Sequence, residues 1–466
     1  MSDEHNRLDA KFKVVGAFWA PVIFAVVQTG TVTSDEDEIT FTTAPEYKRG
    51  GPAAPLPSIL PGTTPPEKLL VLQGFTEGGL CTLCDLMEVD RPGRTDYSLG
   101  QSVVAVVYRV SASVTGMHLG GSGDKCLKSA RYTFSGLSDW LPKAINEKWD
   151  ADYITLKIPF QPRDILQFCV RENRVQVEVK VFSELMSTSA AGGRISRSVA
   201  YVDIESPEPE SLIWYYEIGN RLENLFSLLT GASLALETFF VYRGEESGYV
   251  NSKRNSHVKD FDPRDCVWCT PNQLANCIAI WISESWEFKR VETLALGTLR
   301  KGKLFVETEF LSLAQALEGI HRVTERTPVV DRAIFRQVRK KILALLKLEN
   351  VAQALVDRVC DSLAHVNDPT FAFRLTALCG RLTPLLLKRM KIDPPTFVRD
   401  VVATRNFYTH TGSKPRKQQS TPISGKDLFL LSQKMRALLR GVLLLHLGLP
   451  EAQLSDALER EATRWH

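Results

Sequence analysis

The sequence predicts an α+β protein, a β-rich N-terminal region followed by a C-terminal all-α bundle, and three stretches carry that prediction. Arg174-Val-Gln-Val-Glu-Val-Lys-Val-Phe182 alternates apolar and charged residues, the period of a half-buried antiparallel strand. Phe310, Leu313, Ala314, Leu317 and Ile320 fall at helical spacing, and similar stripes follow as far as Leu447. Between these regions, Ser206-Pro-Glu-Pro-Glu-Ser211 marks a boundary, with proline and glutamate suited to the first turn of a helix. A chain of 466 residues holds two or three domains with ample core. The expected division is 1–205, β-rich; 206–303, a mixed segment completing the N-terminal region; and 304–466, helical.

Taken in order, Val14–Val32 and Glu38–Thr43 read as strands around the acidic turn Asp35-Glu-Asp-Glu38. Lys48–Pro66 is dense in Gly and Pro and reads as a surface loop, and Lys68–Glu88 alternates strand and turn. Val103–Val110 is a strongly β-branched run and reads as one buried strand. Gly116–Lys125 lacks the full spacing of a phosphate loop and reads as a flexible hairpin connection. Ser129–Leu137 and Ile154–Phe160 read as further strands. Trp214, Ile218, Leu222, Leu225 and Leu229 form one helical stripe, and Asn272–Arg290 reads as a single helix. After the Phe310 stripe, helices are expected at Val330–Leu346, Val351–Ala364, Thr370–Met390, Pro394–Tyr408 and Lys426–Leu447. Short connections between them imply antiparallel neighbours.

Composition is that of an ordinary globular protein, with 44% hydrophobic and 24% charged residues. The net charge of +3 singles out no partner. Its distribution does: Leu385–Arg440 holds 12 Lys and Arg against 3 Asp and Glu, the footprint of a phosphate-backbone partner. The N-terminus has acidic residues in place of a basic targeting region, and Gly16–Val27 is too short and too broken by Pro21 to span a bilayer. The expected compartment is the cytoplasm, with no membrane association.

Nine cysteines without secretory signals argue against a disulfide framework. Two Cys-x-x-Cys pairs, Cys81/Cys84 and Cys266/Cys269, have the spacing of zinc knuckles, and four thiolates would make a closed structural zinc site. The competing reading is plain core cysteine.

The stretch with chemistry is Val401-Val-Ala-Thr-Arg-Asn-Phe-Tyr-Thr-His-Thr-Gly412, followed by the cationic Lys414-Pro-Arg-Lys. Residues five apart on a helix lie about 140° apart at ~3.6 residues per turn. Arg405 and His410 therefore converge only if the helix ends between or just after them, or if a second copy completes the site. Histidine can give or take a proton near neutrality, and arginine offers a charged fork to phosphate. Asn406 can orient either. Of the similarly spaced pairs, Arg358/His365 is the competitor, because His365 ends a helix ahead of Asn367-Asp-Pro; Arg440/His446 falls inside a helix and Arg460/His466 at the last residue.

Val402-x-x-Arg-Asn-x-x-x-His-x-Gly412 between two apolar helices resembles the ribonuclease motif of HEPN proteins. Phe310–Arg322 resembles the first helix of the ApeA-like HEPN subgroup, and Leu443–Leu449 resembles its closing helix. Gly16-Ala-Phe-Trp-Ala-Pro21 and Leu72-Gln-Gly74 are similar to the domain that precedes HEPN in ApeA proteins. The resemblance implies an HEPN-like bundle that acts as a metal-independent endoribonuclease in bacterial anti-phage defence, with transfer RNA as substrate. Catalysis would fall to Arg405, His410 and Asn406, and RNA binding to Lys414, Arg416 and Lys417. Glu318 and His321 would support the site, although an ordinary solvated helix face is the default reading of both. It also implies a homodimer with two motifs in one cleft, no cofactor for catalysis, and an N-terminal domain that senses a phage-derived trigger. The alternative is a non-catalytic HEPN protein that binds RNA.

Overall fold

The computed structural model describes residues 12–21, 23–35, 38–44, 46–49, 71–90, 93–96, 101–140, 146–150, 153–157, 163–170, 175–190, 193–252, 262–283, 286–300, 304–325, 328–349, 351–409 and 423–464. The chain forms two compact units. The first comprises Met1–Ser227, Ala232–Phe261 and Cys269–Ser283; the second comprises Leu228–Gly231, Asp262–Trp268 and Glu284–His466.

The first unit is β-rich. Its strands begin with β1 (Phe12–Ala20), β2 (Ile23–Ser34), β3 (Ile39–Thr43), β4 (Glu46–Arg49), β5 (Leu72–Thr76) and β6 (Gly79–Asp90). They continue with β7 (Gly93–Asp96), β8 (Gln101–Val104), β9 (Val107–Thr115) and β10 (Leu127–Phe134). After the short α1 (Leu137–Trp140) come β11 (Asn146–Asp150), β12 (Tyr153–Lys157), β13 (Arg163–Val170), β14 (Val175–Ala190) and β15 (Gly193–Glu210). The helix α2 (Leu212–Thr230) leads to β16 (Leu236–Arg243), β17 (Glu246–Asn251) and α3 (Pro271–Ser283).

Strands β9, β3, β2, β1, β5 and β6 pair in that order, and β6 pairs back onto β9, closing an antiparallel barrel. Closure removes free sheet edges. The core of these strands is Phe18, Phe41, Ile39, Leu83, Tyr108 and their neighbours. Phe18 fills its place because Gly74 stands opposite it across the β1–β5 pair. A Cβ on Gly74 would come within 2.4 Å of the Phe18 ring. The open part of the same sheet continues from β9 through β17, β16, β10, β15 and β14 to β13. Alongside it, α2 buries Leu222, Leu225 and Phe226. Buried Arg221 donates to the carbonyls of Trp281 and Ile282 while Trp281 Nε1 donates back to Arg221, which ties α2 to α3.

Several expectations change. The β-branched run Val103–Val110 is two strands, not one: β8 joins β4 and β7 in a small separate sheet, and β9 enters the barrel. β-branching specifies extended backbone but not which sheet receives it. The switch is held by Thr43, whose Oγ1 accepts from the Val106 N–H at 2.9 Å. Pro-Glu-Pro-Glu ends the long β15 instead of opening a helix; α2 starts after Ser211, whose hydroxyl accepts from the Trp214 N–H. The Gly116–Lys125 connection is packed, not loose: Met117 and Leu119 are buried, and Thr82 Oγ1 bonds to the backbone of both. The β14 stretch pairs antiparallel with β13 and β15. Most of the expected Lys48–Pro66 loop lies outside the described residues.

The second unit is helical: α4 (Trp286–Arg300), α5 (Val306–Thr324), α6 (Arg332–Leu348), α7 (Gln353–His365), α8 (Phe371–Cys379), α9 (Pro384–Arg389), α10 (Pro394–Thr409), α11 (Gly425–His446) and α12 (Glu451–Thr463). Helix α5 packs against α4, α8, α10 and α11, and its stripe of Phe310, Leu313, Ala314, Leu317 and Ile320 is fully buried. The expected Asn272–Arg290 helix is two, α3 and α4. The expected Thr370–Met390 helix is also two, because Thr383 caps a new start ahead of Pro384. Helix α12 was not expected.

Buried Arg440 on α11 holds this unit together. Its Nε donates to Leu228 O at 2.8 Å, and its Nη2 to Leu229 O at 3.0 Å and Asp265 O at 2.8 Å, while Nη1 reaches Glu461 at 3.3 Å. Gly231, at φ +69, leaves the room this guanidinium needs; a Cβ there would lie 2.7 Å from Nη1. Arg440→Met leaves three buried carbonyls and a carboxylate without their donor. It is expected to destabilise this unit by about 3–5 kcal/mol, the usual cost of removing one side of a buried ionic network. Urea unfolding followed by helical circular dichroism measures it.

Candidate active site

Helix α10 starts where the Asp393 carboxylate accepts from the Thr396 N–H, and it buries Phe397, Val398, Val401, Ala403 and Thr404. That face against the bundle fixes the helix and turns Arg405 outward. The Arg405 side chain is 33% exposed and lies 3.6 Å from Glu318 Oε2. Its guanidinium sits over the Phe371 ring, 5.5 Å from the centroid. The other oxygen of Glu318 accepts from Arg322 at 2.8 Å. One carboxylate thus orients two arginines. Arg405 is held by a long ion pair and a ring face, which leaves part of its donor fork turned to solvent.

The helix runs through Arg405 and Asn406 and ends at Thr409, whose hydroxyl donates to the Arg405 carbonyl at 2.8 Å. The chain returns at Ile423, whose N–H donates to Thr404 Oγ1 at 3.1 Å. Both ends of the 410–422 segment are therefore anchored within one helical turn of Arg405. His410, Lys414, Arg416 and Lys417 lie outside the described residues.

His321 is not on a solvated face. It is 1% exposed, with Nδ1 3.4 Å from Arg374 Nη1 and Nε2 3.2 Å from Glu325 Oε2. Arginine can only donate, so Nδ1 accepts and the ring is neutral with its proton on Nε2. Burial lowers its pKa below the ordinary imidazole value, and Arg374 and Arg381 add to this against the opposing pull of Glu325. Glu325 also takes a 2.8 Å bond from Arg381. His321 is thus a packed, buried residue held against Arg374 and Glu325, where the sequence allowed a surface residue.

The thiol pairs do not assemble as knuckles. Cys81 and Cys84 lie on β6, a continuous strand in which residues three apart face opposite sides. Burial pushes both thiols up to about 12. Cys266 points its thiol at the carbonyls of Thr230 and Asp262, and Cys269 is hydrogen-bonded to Cys277. Among the described residues, no three His, Cys, Asp or Glu side chains gather as a metal site.

The pair Arg440/His446 is structural: Arg440 serves the carbonyls described above, and His446 stacks on Phe288 at 5.1 Å. Sequence reading missed a set of arginines on α6. Arg332, Arg336 and Arg339 share one helix face and line a cleft of about 450 Å³ with Arg322 and Arg374. Their i, i+4, i+7 spacing was the available signal.

Two outcomes follow. As pH falls through 6.5, an unfolded His321 takes up a proton that the buried folded ring resists, so stability falls below that pH and levels off under the folded pKa. His321→Gln is expected to flatten this slope in urea melts between pH 7.5 and 5. Metal analysis of the purified protein is expected to find far less than one zinc per chain; stoichiometric zinc released by Cys84→Ser would reverse this.

Among the described residues, no helix is long and apolar enough to cross a membrane. No curated protein and no solved structure matches the chain. Two family models do. Residues 13–282 match the ApeA N-terminal domain 1, and residues 311–453 match the Apea-like HEPN domain. The first covers the barrel, the open sheet and α3, and the second runs from α5 into α12, with Arg405 inside it. The chain belongs to the ApeA-like HEPN family, a family of HEPN nucleases linked to anti-phage defence.

Proposed function

We propose that this chain is a metal-independent endoribonuclease that cleaves transfer RNA during phage infection. The observation that carries the reading is the anchoring of both ends of the 410–422 segment beside a solvent-facing Arg405. That segment contains His410, Lys414, Arg416 and Lys417, which supports assigning the proton transfer and the phosphate contacts to it.

In the proposed reaction a ribose 2′-OH attacks the adjacent phosphorus. The P–O2′ bond forms, the P–O5′ bond breaks, and the products are a 2′,3′-cyclic phosphate and a 5′-OH. An imidazole of His410 takes the 2′-OH proton, and an imidazolium returns one to the departing O5′. Arg405 stabilises the charge that builds on the non-bridging oxygens, and Asn406 orients the phosphate or the ring. Glu318 and His321 keep Arg405 in place. A homodimer would bring two His410 rings to one cleft and supply both proton transfers. The exposed stripe Ile334, Val338, Leu345 and Leu348 on α6 offers an apolar surface for such an assembly. The N-terminal unit would hold the nuclease off until a phage component releases it.

Purified protein incubated with bulk transfer RNA in excess EDTA is expected to give discrete fragments with 5′-OH ends. Arg405→Ala and His410→Ala should each lower cleavage by about 10²-fold or more, the range for loss of one charge-stabilising or proton-transferring group. Cleavage that persists in His410→Ala would refute its assignment. RNA binding without cleavage, both in vitro and in phage-challenged cells, would favour the non-catalytic alternative.

A further inference from the structure

The cleft on α6 is unlike the rest of the helical surface. Five of its lining residues are arginines: Arg322, Arg332, Arg336, Arg339 and Arg374. Only two carboxylates, Glu325 and Asp368, line it with them, and Glu325 is already engaged by Arg381. Arg374 is tied to Pro369 O and His321, and Arg322 to Glu318. The α6 arginines are placed differently. Arg332 and Arg336 are exposed, and Arg339 Nε is shut off from solvent without a hydrogen-bond partner. At about 100° per residue the three fall within roughly 60° of one another, on the side of α6 opposite its apolar stripe. Like charges so close repel one another unless an anion sits among them. Three planar forks lining one cleft can supply paired donors to the oxygens of a phosphate.

Size and lining narrow the ligand. About 450 Å³ is room for one nucleotide unit. Phe335, Leu363, Pro328 and Pro369 add apolar wall beside the arginines, which suits a base attached to a phosphate better than an acidic side chain. The position relative to Arg405 points the same way. Arg322 on the cleft wall and Arg405 share the two oxygens of Glu318.

We infer that the α6 cleft binds the phosphate of a nucleotide unit, as a flanking step of an RNA strand that passes Arg405 or as a free nucleotide. This deepens the RNA reading, but its readout is binding, so its failure and a failure of cleavage are separable. The test uses the full chain and a fluorescent 2′-O-methyl RNA decamer, which has no 2′-OH and cannot be cut. Arg332→Glu/Arg336→Glu is compared with Lys340→Glu/Lys341→Glu, an equal charge change on the same helix at exposed residues that do not line the cleft. Arg332→Gln/Arg336→Gln guards against charge reversal that disturbs the helix, with circular dichroism confirming the fold.

The expected result is at least about a tenfold loss of affinity in both arginine variants, less than about twofold in the lysine variant, and a salt dependence shallower by roughly one in the log–log slope. Displacement of the decamer by AMP assigns the cleft to free nucleotide as well as RNA; resistance to AMP assigns it to the polymer. Both support the site. Equal losses in the arginine and lysine variants, or no loss in either, would overturn it. So would displacement of the decamer by heptaglutamate.

Discussion

The helical unit depends on a desolvated guanidinium. A buried arginine is costly unless every donor is used, and Arg440 meets that demand with three carbonyls and a carboxylate gathered from distant parts of the chain. The carbonyls come from Leu228, Leu229 and Asp265, which is why Leu228–Gly231 and Asp262–Trp268 group with a unit otherwise made of residues after 283. A fragment cut at the start of α5 would keep the arginine and Glu461 but lose the three carbonyls. The helical unit is therefore not a cassette that can be lifted out on its own. Its core is completed by short pieces from before residue 283.

The same economy of charge organises the candidate site. Glu318 divides its oxygens between Arg322 and Arg405. His321 sits neutral against Arg374, and Glu325 answers both His321 and Arg381. Cations outnumber carboxylates throughout this region, so a polyanion would meet arginines that are already aimed. The positive charge noted around Arg405 thus extends onto α5, α6 and α8, outside the window in which the sequence showed it.

Much of this was legible in the residues because the signals were local. The period-two β14 stretch, the α5 stripe and the Arg-Asn at the end of an apolar helix need only neighbours a few positions away. What stayed hidden depends on long-range partners. His321 reads as a surface residue until Arg374 and Glu325 close over it. Cys81 and Cys84 have knuckle spacing, yet β6 puts them on opposite faces of a strand. The Val103–Val110 run shows extended backbone but not its transfer from a small sheet to the barrel. The break before Pro384 was visible in Thr383 and overridden by the apolar residues around it. The arginine face of α6 was visible too, but only when charge is read with helical periodicity.

The Ile423 to Thr404 hydrogen bond has a consequence for how such a site can vary. It brings the two ends of the 410–422 connection together on the protein's own account. The entropy of closing a loop grows only logarithmically, roughly 0.6 kcal/mol for each doubling of length. With its ends already joined, this connection can gain residues at little thermodynamic cost while Arg405 stays where α10 and Glu318 put it. A change in chain length between Thr409 and Ile423 therefore leaves the arginine and its support unchanged.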